Sequence, residues 1–380
     1  MSYRWAVNFL FFANGFIYGN WAARIPRIQE VHALSNSQVG FVLLAHSVGA
    51  FIAMPITGWL INRYGSHSVS WKAGILLISS LVLIPHVPSY VILLVPFFFV
   101  GAFSGTMDVA MNAQAVDVEK HYARPIITSF HALFSIGMFI GGLVSALFIR
   151  EAPSLWIHLT VVGLTGAILV IAASRHLYVQ EKANPADDEV VFAFPRGPIL
   201  ALGIVAFCCM MGEGAIADWS TNYMKKIVGV FDLQTFGLVA FAGMMTVGRL
   251  LGDRGRALWG DRWMMVTGAL CSLVGILFVL SLWHPWVVII GFGAVGLGLA
   301  NIVPIVFSLA GNTHGLGPGV GIAMASTIGY TGFMFGPPII GFVADASDLR
   351  IGLGVLAVLF SVMTLIVLLR KGESKQSFKS

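Results

Sequence analysis

Residues 90–115 read YVILLVPFFFVGAFSGTMDVAMNAQA, a run in which Asp108 is the single charged side chain. About 20 apolar residues cross the roughly 30 Å hydrocarbon core of a bilayer as a helix. Working outward, runs of the same kind lie near 5–23, 37–60, 70–87, 126–149, 155–174, 198–222, 234–252, 263–282, 285–309, 319–343 and 350–369, separated by short polar or Gly/Pro-containing turns. Twelve spans take up nearly the whole chain. The sequence therefore predicts an all-α membrane protein.

Composition agrees. Mean hydropathy is +0.86. Hydrophobic residues make up 57% and charged residues 10%, against about 25% charged in an ordinary soluble domain. The 43 glycines suit helices that pack closely through small residues. A formal charge of +5 is no nucleic-acid signal here, because the basic residues are scattered among the turns. Their distribution sets orientation instead. Six of the 22 Lys and Arg (Arg24, Arg27, Arg150, Lys225, Lys226 and Arg350) fall on one face, and the other sixteen on the face with both termini. The positive-inside rule makes that terminal face cytoplasmic, as for a bacterial-type inner-membrane protein. The first run is longer than a signal-peptide core and reads as an uncleaved span. Cys208, Cys209 and Cys271 lie inside spans and read as small apolar fillers; no disulfide framework, metal site or cofactor motif is visible.

The longest polar stretch, residues 175–198, separates six spans from six. It defines a bundle over 1–174, a cytoplasmic linker over 175–197, and a second bundle over 198–380 with a short cytoplasmic tail. The halves look alike. Asn20-Trp21 answers Asp218-Trp219 at an offset of 198, Gly137-Met138-Phe139-Ile140-Gly141 answers Gly332-Phe333-Met334-Phe335-Gly336 at 195, and Gln38 and Gly40 answer Gln234 and Gly237 at 196–197. Duplicated bundles are the architecture of alternating-access transporters, with the solute site between them near the midplane. The turn Gly58-Trp59-Leu60-Ile61-Asn62-Arg63-Tyr64-Gly65 resembles the major facilitator loop motif, with Asn62 at the usual acid position; Gly248-Arg249-Leu250-Leu251-Gly252-Asp253-Arg254 reads as its counterpart. In that family such residues clamp the cytoplasmic side, so Arg63, Arg249, Asp253 and Arg254 are gating candidates.

An ionisable group at the bilayer centre costs about 2.5–3.5 kcal/mol even on insertion scales, so each one inside a span is a functional candidate. Asp108 and Asn112 share a face of span 4 with Gly101 and Gly105. Glu213 is flanked by Gly212 and Gly214 in span 7, and His131 lies at a depth similar to Asp108 in span 5. Asp108, Glu213 and His131 are the proton-coupling candidates; packing against a neighbouring helix is the competing reading for each. Arg24 and Asp218, level in the outer halves of spans 1 and 7, pair either as an outer gate or as a permanent ion pair. Asn14, Tyr18 and Trp21 on one face of span 1, with Asn112, Asn301 and Tyr330, are substrate-binding candidates suited to a polar neutral solute.

Met107-Asp108-Val109-Ala110-Met111-Asn112, Ser129-Phe130-His131-Ala132-Leu133-Phe134-Ser135-Ile136-Gly137, Gly212-Glu213-Gly214-Ala215-Ile216-Ala217-Asp218-Trp219 and Gly336-Pro337-Pro338 together resemble the YbjJ-type proteins of the major facilitator superfamily. More distantly, Asp108 and Asn112 are similar to the acid-x-x-x-Asn of fucose permeases, where the acid belongs to proton symport; their second acid, in span 1, falls here at Ala22. The resemblance implies a proton-coupled secondary transporter of a small solute in the lipid bilayer, and with no large soluble domain to recruit a partner a working monomer is expected. Import of a sugar-like solute and efflux of small lipophilic compounds both stay open. The sequence has no H-E-x-x-H, G-x-S-x-G or P-loop pattern, which leaves no basis for an enzyme.

Overall fold

A computed structural model describes residues 2–122, 126–151, 154–179, 197–281, 284–313 and 318–370. Most of the linker (180–196), residues 314–317 and the tail from 371 onward lie outside them. The helices are α1 (Tyr3–Ala22), α2 (Ile25–Val31), α3 (Asn36–Tyr64), α4 (Ser66–Leu83), α5 (Tyr90–Tyr122), α6 (Ile127–Glu151), α7 (Leu155–Ser174), α8 (Pro198–Lys226), α9 (Phe236–Ser281), α10 (Pro285–Leu299), α11 (Ile302–Gly311), α12 (Pro318–Ala346) and α13 (Leu349–Leu369). Ten segments are long and apolar enough to span a bilayer. α1 and the shorter apolar segment Phe236–Gly252 complete twelve crossings. α1 is less apolar because it carries Asn8, Asn14 and Asn20, all buried against its own neighbours.

The helices form two six-helix bundles. Within each, glycines set the closest crossings. A Cβ on Gly137 would sit 2.3 Å from the Phe12 carbonyl oxygen, and one on Gly332 would sit 2.5 Å from that of Phe207. A Cβ on Gly101 would lie 1.8 Å from the His46 oxygen, and one on Gly296 would lie 2.2 Å from that of Phe241. All four residue pairs (137/332, 12/207, 101/296, 46/241) differ by 195, so the same two crossings are built twice. The tight turns agree: Gly65 has φ +81° and Gly260 has φ +77°, a left-handed conformation open to glycine at little cost.

This repeat corrects two sequence expectations. The counterpart of the 58–65 turn is 253–260, because α9 runs on as helix through 248–254 and the chain reverses at Gly260. Arg249 is therefore inside a span and not in the loop motif. At an offset of 195, Asn20 is level with Ala215, so its match to Asp218 is a coincidence of sequence. The expected span 285–309 is found as Pro285–Gly311, with a local break between α10 and α11 at Ala300 and Asn301.

A polar network missed in the sequence ties α1, α6 and α7 together. Asn20 Nδ2 donates to the Phe16 oxygen at 2.8 Å and Ser145 Oγ donates to the Asn20 oxygen at 3.1 Å. His158 Nε2 lies 2.9 Å from Asn20 Oδ1. All three side chains are fully buried, where an unpaired amide would be costly.

Candidate functional site

Between the bundles, α3 packs on α12 and α6 packs on α9. Asp108 and Asn112 are one helical turn apart on α5, and Asn112 Nδ2 donates to the Asp108 carbonyl oxygen at 2.8 Å and to its Oδ1 at 3.3 Å. Tyr330 of α12 lies within electrostatic reach of both Asp108 and Glu213. A carboxylate from each bundle thus acts on the same phenol through its charge. Asp108, Asn112, His131, Glu213, Arg249 and Tyr330 are all half-buried, keeping accessible surface inside a helical protein.

Arg249, expected at a cytoplasmic gate, supplies the positive charge of this cluster. Its Nη2 lies 3.5 Å from Glu213 Oε1, with the side chains 16% and 20% exposed, and its Nη1 donates to Ser135 Oγ on α6 at 2.5 Å. The guanidinium therefore links the bundles and neutralises Glu213. A buried carboxylate is tolerated when a charge and hydrogen bonds compensate its lost hydration. His131 packs edge-on against Phe11 at 5.2 Å and is within electrostatic reach of Arg249. A sequence signal for Arg249 existed: two span acids with no counter-charge at their depth.

Other candidates separate. Asn14 is buried and donates to Met111 Sδ at 3.9 Å, and Trp21 is buried against Phe97 and His46 at 5.7 and 5.3 Å. Both belong to the packing of the first bundle. Of the span 1 face, Tyr18 alone reaches across, its hydroxyl donating to Asp218 Oδ1 at 3.3 Å. Asp218 accepts from Tyr18, and the expected pairing with Arg24 is not among the ion pairs of the described residues. Asn301 holds the break between α10 and α11, its Nδ2 donating to the Gly248 oxygen at 2.7 Å, and does not join the central cluster. Arg63 packs over the rings of Trp59 and Tyr64 at 5.4 and 5.5 Å. No bond or ion pair to the other bundle is described for Arg63 or Arg254, and the Asp253 side chain lies outside the described residues.

The face opposite the termini is sealed. Asp345 at the end of α12 accepts from the Asn36 and Ser37 backbone N–H groups, each at 2.8 Å. These are orphan donors in the first turn of α3, where a carboxylate is favoured by both hydrogen bonding and the helix dipole. The same helix start carries its own capping box, Ser35 with Gln38. Lys225 pairs with Glu30, and Lys226 donates to Gln29 Oε1 at 2.7 Å and Asn36 Oδ1 at 3.3 Å. Toward the terminal face, Arg249 to Ser135 joins the bundles. The half-buried central cluster is therefore closed off from the far face.

A helical membrane protein of two like bundles, with charged groups on their shared interface, is the plan of an alternating-access carrier. The model of the Major Facilitator Superfamily matches residues 7–259, and the chain belongs to that superfamily. It is 36% identical over 352 residues to an uncharacterised MFS-type transporter of Yersinia pestis, covering 92% of this chain and 91% of the relative. It is 33% identical over 354 residues to the membrane protein MosC of Rhizobium meliloti, covering 92% and 84%. Among solved structures, the nucleoside transporter NupG superposes with a TM-score of 0.77 at 13% identity, covering 97% of this chain and 98% of that one. A bacterial homologue of the lysosomal transporter Spinster gives 0.73 at 13% identity, covering 96% and 95%. At such identity the two structures carry the fold alone. The chain is a multi-pass membrane transporter of a small solute.

Proposed function

We propose that this transporter is a proton-coupled symporter that imports a polar neutral, sugar-like solute by alternating access. One observation supports this most directly: Asp108 of the first bundle and Glu213 of the second both lie within electrostatic reach of Tyr330, and Asp108 has no cationic partner among the described residues. A carboxylate held in such a place binds and releases a proton at modest cost, and a proton bound there changes the relative free energies of the two access states. Asn112 and the tyrosine hydroxyls supply donors and acceptors for a hydroxylated solute. In this reading the units are residues 1–174 and 198–380, joined by 175–197, acting as a monomer in the inner membrane with both termini in the cytoplasm.

The test uses purified protein in proteoliposomes, with and without an imposed proton gradient, against sugars, amino acids, nucleosides and lipophilic cations. Accumulation of a polar neutral solute that follows the gradient, abolished by Asp108→Asn while solute exchange persists, is the expected result. Gradient-driven expulsion of a lipophilic cation would replace import by efflux, and full accumulation by Asp108→Asn would remove Asp108 from coupling.

A further inference from the structure

Asn222 on α8 is fully buried, and neither its Oδ1 nor its Nδ2 has a partner. Leaving both ends of a buried amide unpaired is costly, and a residue that only packed would be better served by an apolar side chain of similar size. Its position says which way it points. Along α8, Asp218, Asn222 and Lys226 recur every four residues and share one face. At one end of that stripe Asp218 meets Tyr18 of the first bundle. At the other end Lys226 meets Gln29, and the adjacent Lys225 meets Glu30. Asn222 lies between these two contacts, so it faces the first bundle behind the far-face seal, one helical turn (about 6 Å) from Asp218.

Alternating access requires the bundles to part at this face. When Lys225 and Lys226 leave Glu30 and Gln29, the stripe becomes the wall of the opened space. We propose that Tyr18, Asp218 and Asn222 form a far-side solute subsite, occupied when the carrier is open to that face. Its chemistry is a carboxylate beside an amide and a phenol. That set accepts from hydroxyl or ammonium groups while the amide returns a donor, so it takes a polyol or amino-polyol and rejects an anion. The inference rests on the symporter reading and adds to it an earlier binding position on the far side of the Asp108 and Tyr330 cluster.

The experiment places Asn222→Cys in a background with Cys208, Cys209 and Cys271 changed to Ala. A membrane-impermeant thiol reagent is applied to whole cells, and Val31→Cys, at an exposed far-face position, serves as the reference. Labelling of Asn222→Cys that is slowed by sorbitol or glucosamine, but not by tartrate, with Val31→Cys indifferent to all three, is expected. No labelling overturns the subsite, as does labelling that neither sorbitol nor glucosamine slows. Whether the symporter reading falls with it is read separately, from thermal stabilisation of the unmodified protein by the same solutes. Asn222→Ala gives a second measurement that does not depend on the cysteine variant. Removing an orphaned amide should keep or raise the melting temperature while weakening sorbitol or glucosamine binding roughly 3- to 10-fold. A lower melting temperature with unchanged binding would make Asn222 a packing residue.

Discussion

Tyr18 and Asp218 meet across the bundle interface, the phenol donating to the carboxylate at 3.3 Å. One residue comes from each half of the chain, and Asp218 is 6% exposed. The contact helps to hold the far face closed and occupies the carboxylate that the sequence assigned to Arg24. Tyr18→Phe should therefore weaken the far-closed state by about 0.5–1.5 kcal/mol, the usual net worth of one hydrogen bond. Far-face labelling of engineered cysteines should rise accordingly. Exchanging the charges of Arg24 and Asp218 should not rescue either single reversal; rescue in a transport assay would restore the pairing of Arg24 with Asp218.

Arg249 and Glu213 form a partly buried ion pair, so removing one partner strands the other. Arg249→Met should lower thermal stability by roughly 3 kcal/mol, the lower end for breaking a buried pair, since both side chains keep some exposure. The double variant Arg249→Met with Glu213→Gln should recover most of that loss. A double variant no more stable than Arg249→Met would mean the two residues act independently.

Gly101 lies against the His46 carbonyl and Gly137 against that of Phe12. A Cβ at 1.8 or 2.3 Å from backbone oxygen has no side chain to push aside. Gly101→Ala and Gly137→Ala should each cost about 1–3 kcal/mol or prevent assembly. Gly354→Ala, where a Cβ meets nothing within 4 Å, should be nearly neutral. The melting temperatures of the three variants in detergent provide the comparison.

Glu30 lies outside the spans, in α2. Burial by itself would raise its pKa, but the hydrogen bonds and charges of Lys225 and Arg27 hold it below the ordinary glutamate value. A depressed carboxylate stabilises the folded state above its unfolded pKa, and that contribution fades as pH falls through the lowered folded value. The pair with Lys225 is partly exposed, so about 0.2–1 kcal/mol is at stake. Acidifying the far side below about pH 4 should loosen the seal, seen as increased far-face labelling. Glu30→Gln should show the loosened level already at neutral pH, with no further acid response from this pair.

Membrane character, span number and the approximate span limits were legible because hydropathy is a local sum over about 20 residues. Asp108, Asn112 and Glu213 were legible for a related reason: a polar group in an apolar run is conspicuous, whatever its partner. The internal repeat was visible in Gly137 and Gly332, but its true offset was not. Asn20-Trp21 and Asp218-Trp219 look alike in letters, and only the matched crossings at Gly137 with Phe12 and Gly332 with Phe207 fix the register at 195. Arg249 was misplaced for the same reason, since a helix that continues for two further turns and a loop motif share a similar string.

The sequence by itself determined that this chain is a twelve-span helical carrier with a few ionisable groups inside the membrane. The cost of placing each residue type in hydrocarbon depends on the residue and its near neighbours. Only the tertiary structure decided that Tyr18 takes Asp218, that Arg249 serves Glu213 and Ser135, that Trp21 and Asn14 turn into their own bundle, and that Asn222 is left without a partner. Those outcomes depend on how two bundles dock, which brings together groups up to 309 residues apart through shape and desolvation, and no local pattern encodes that.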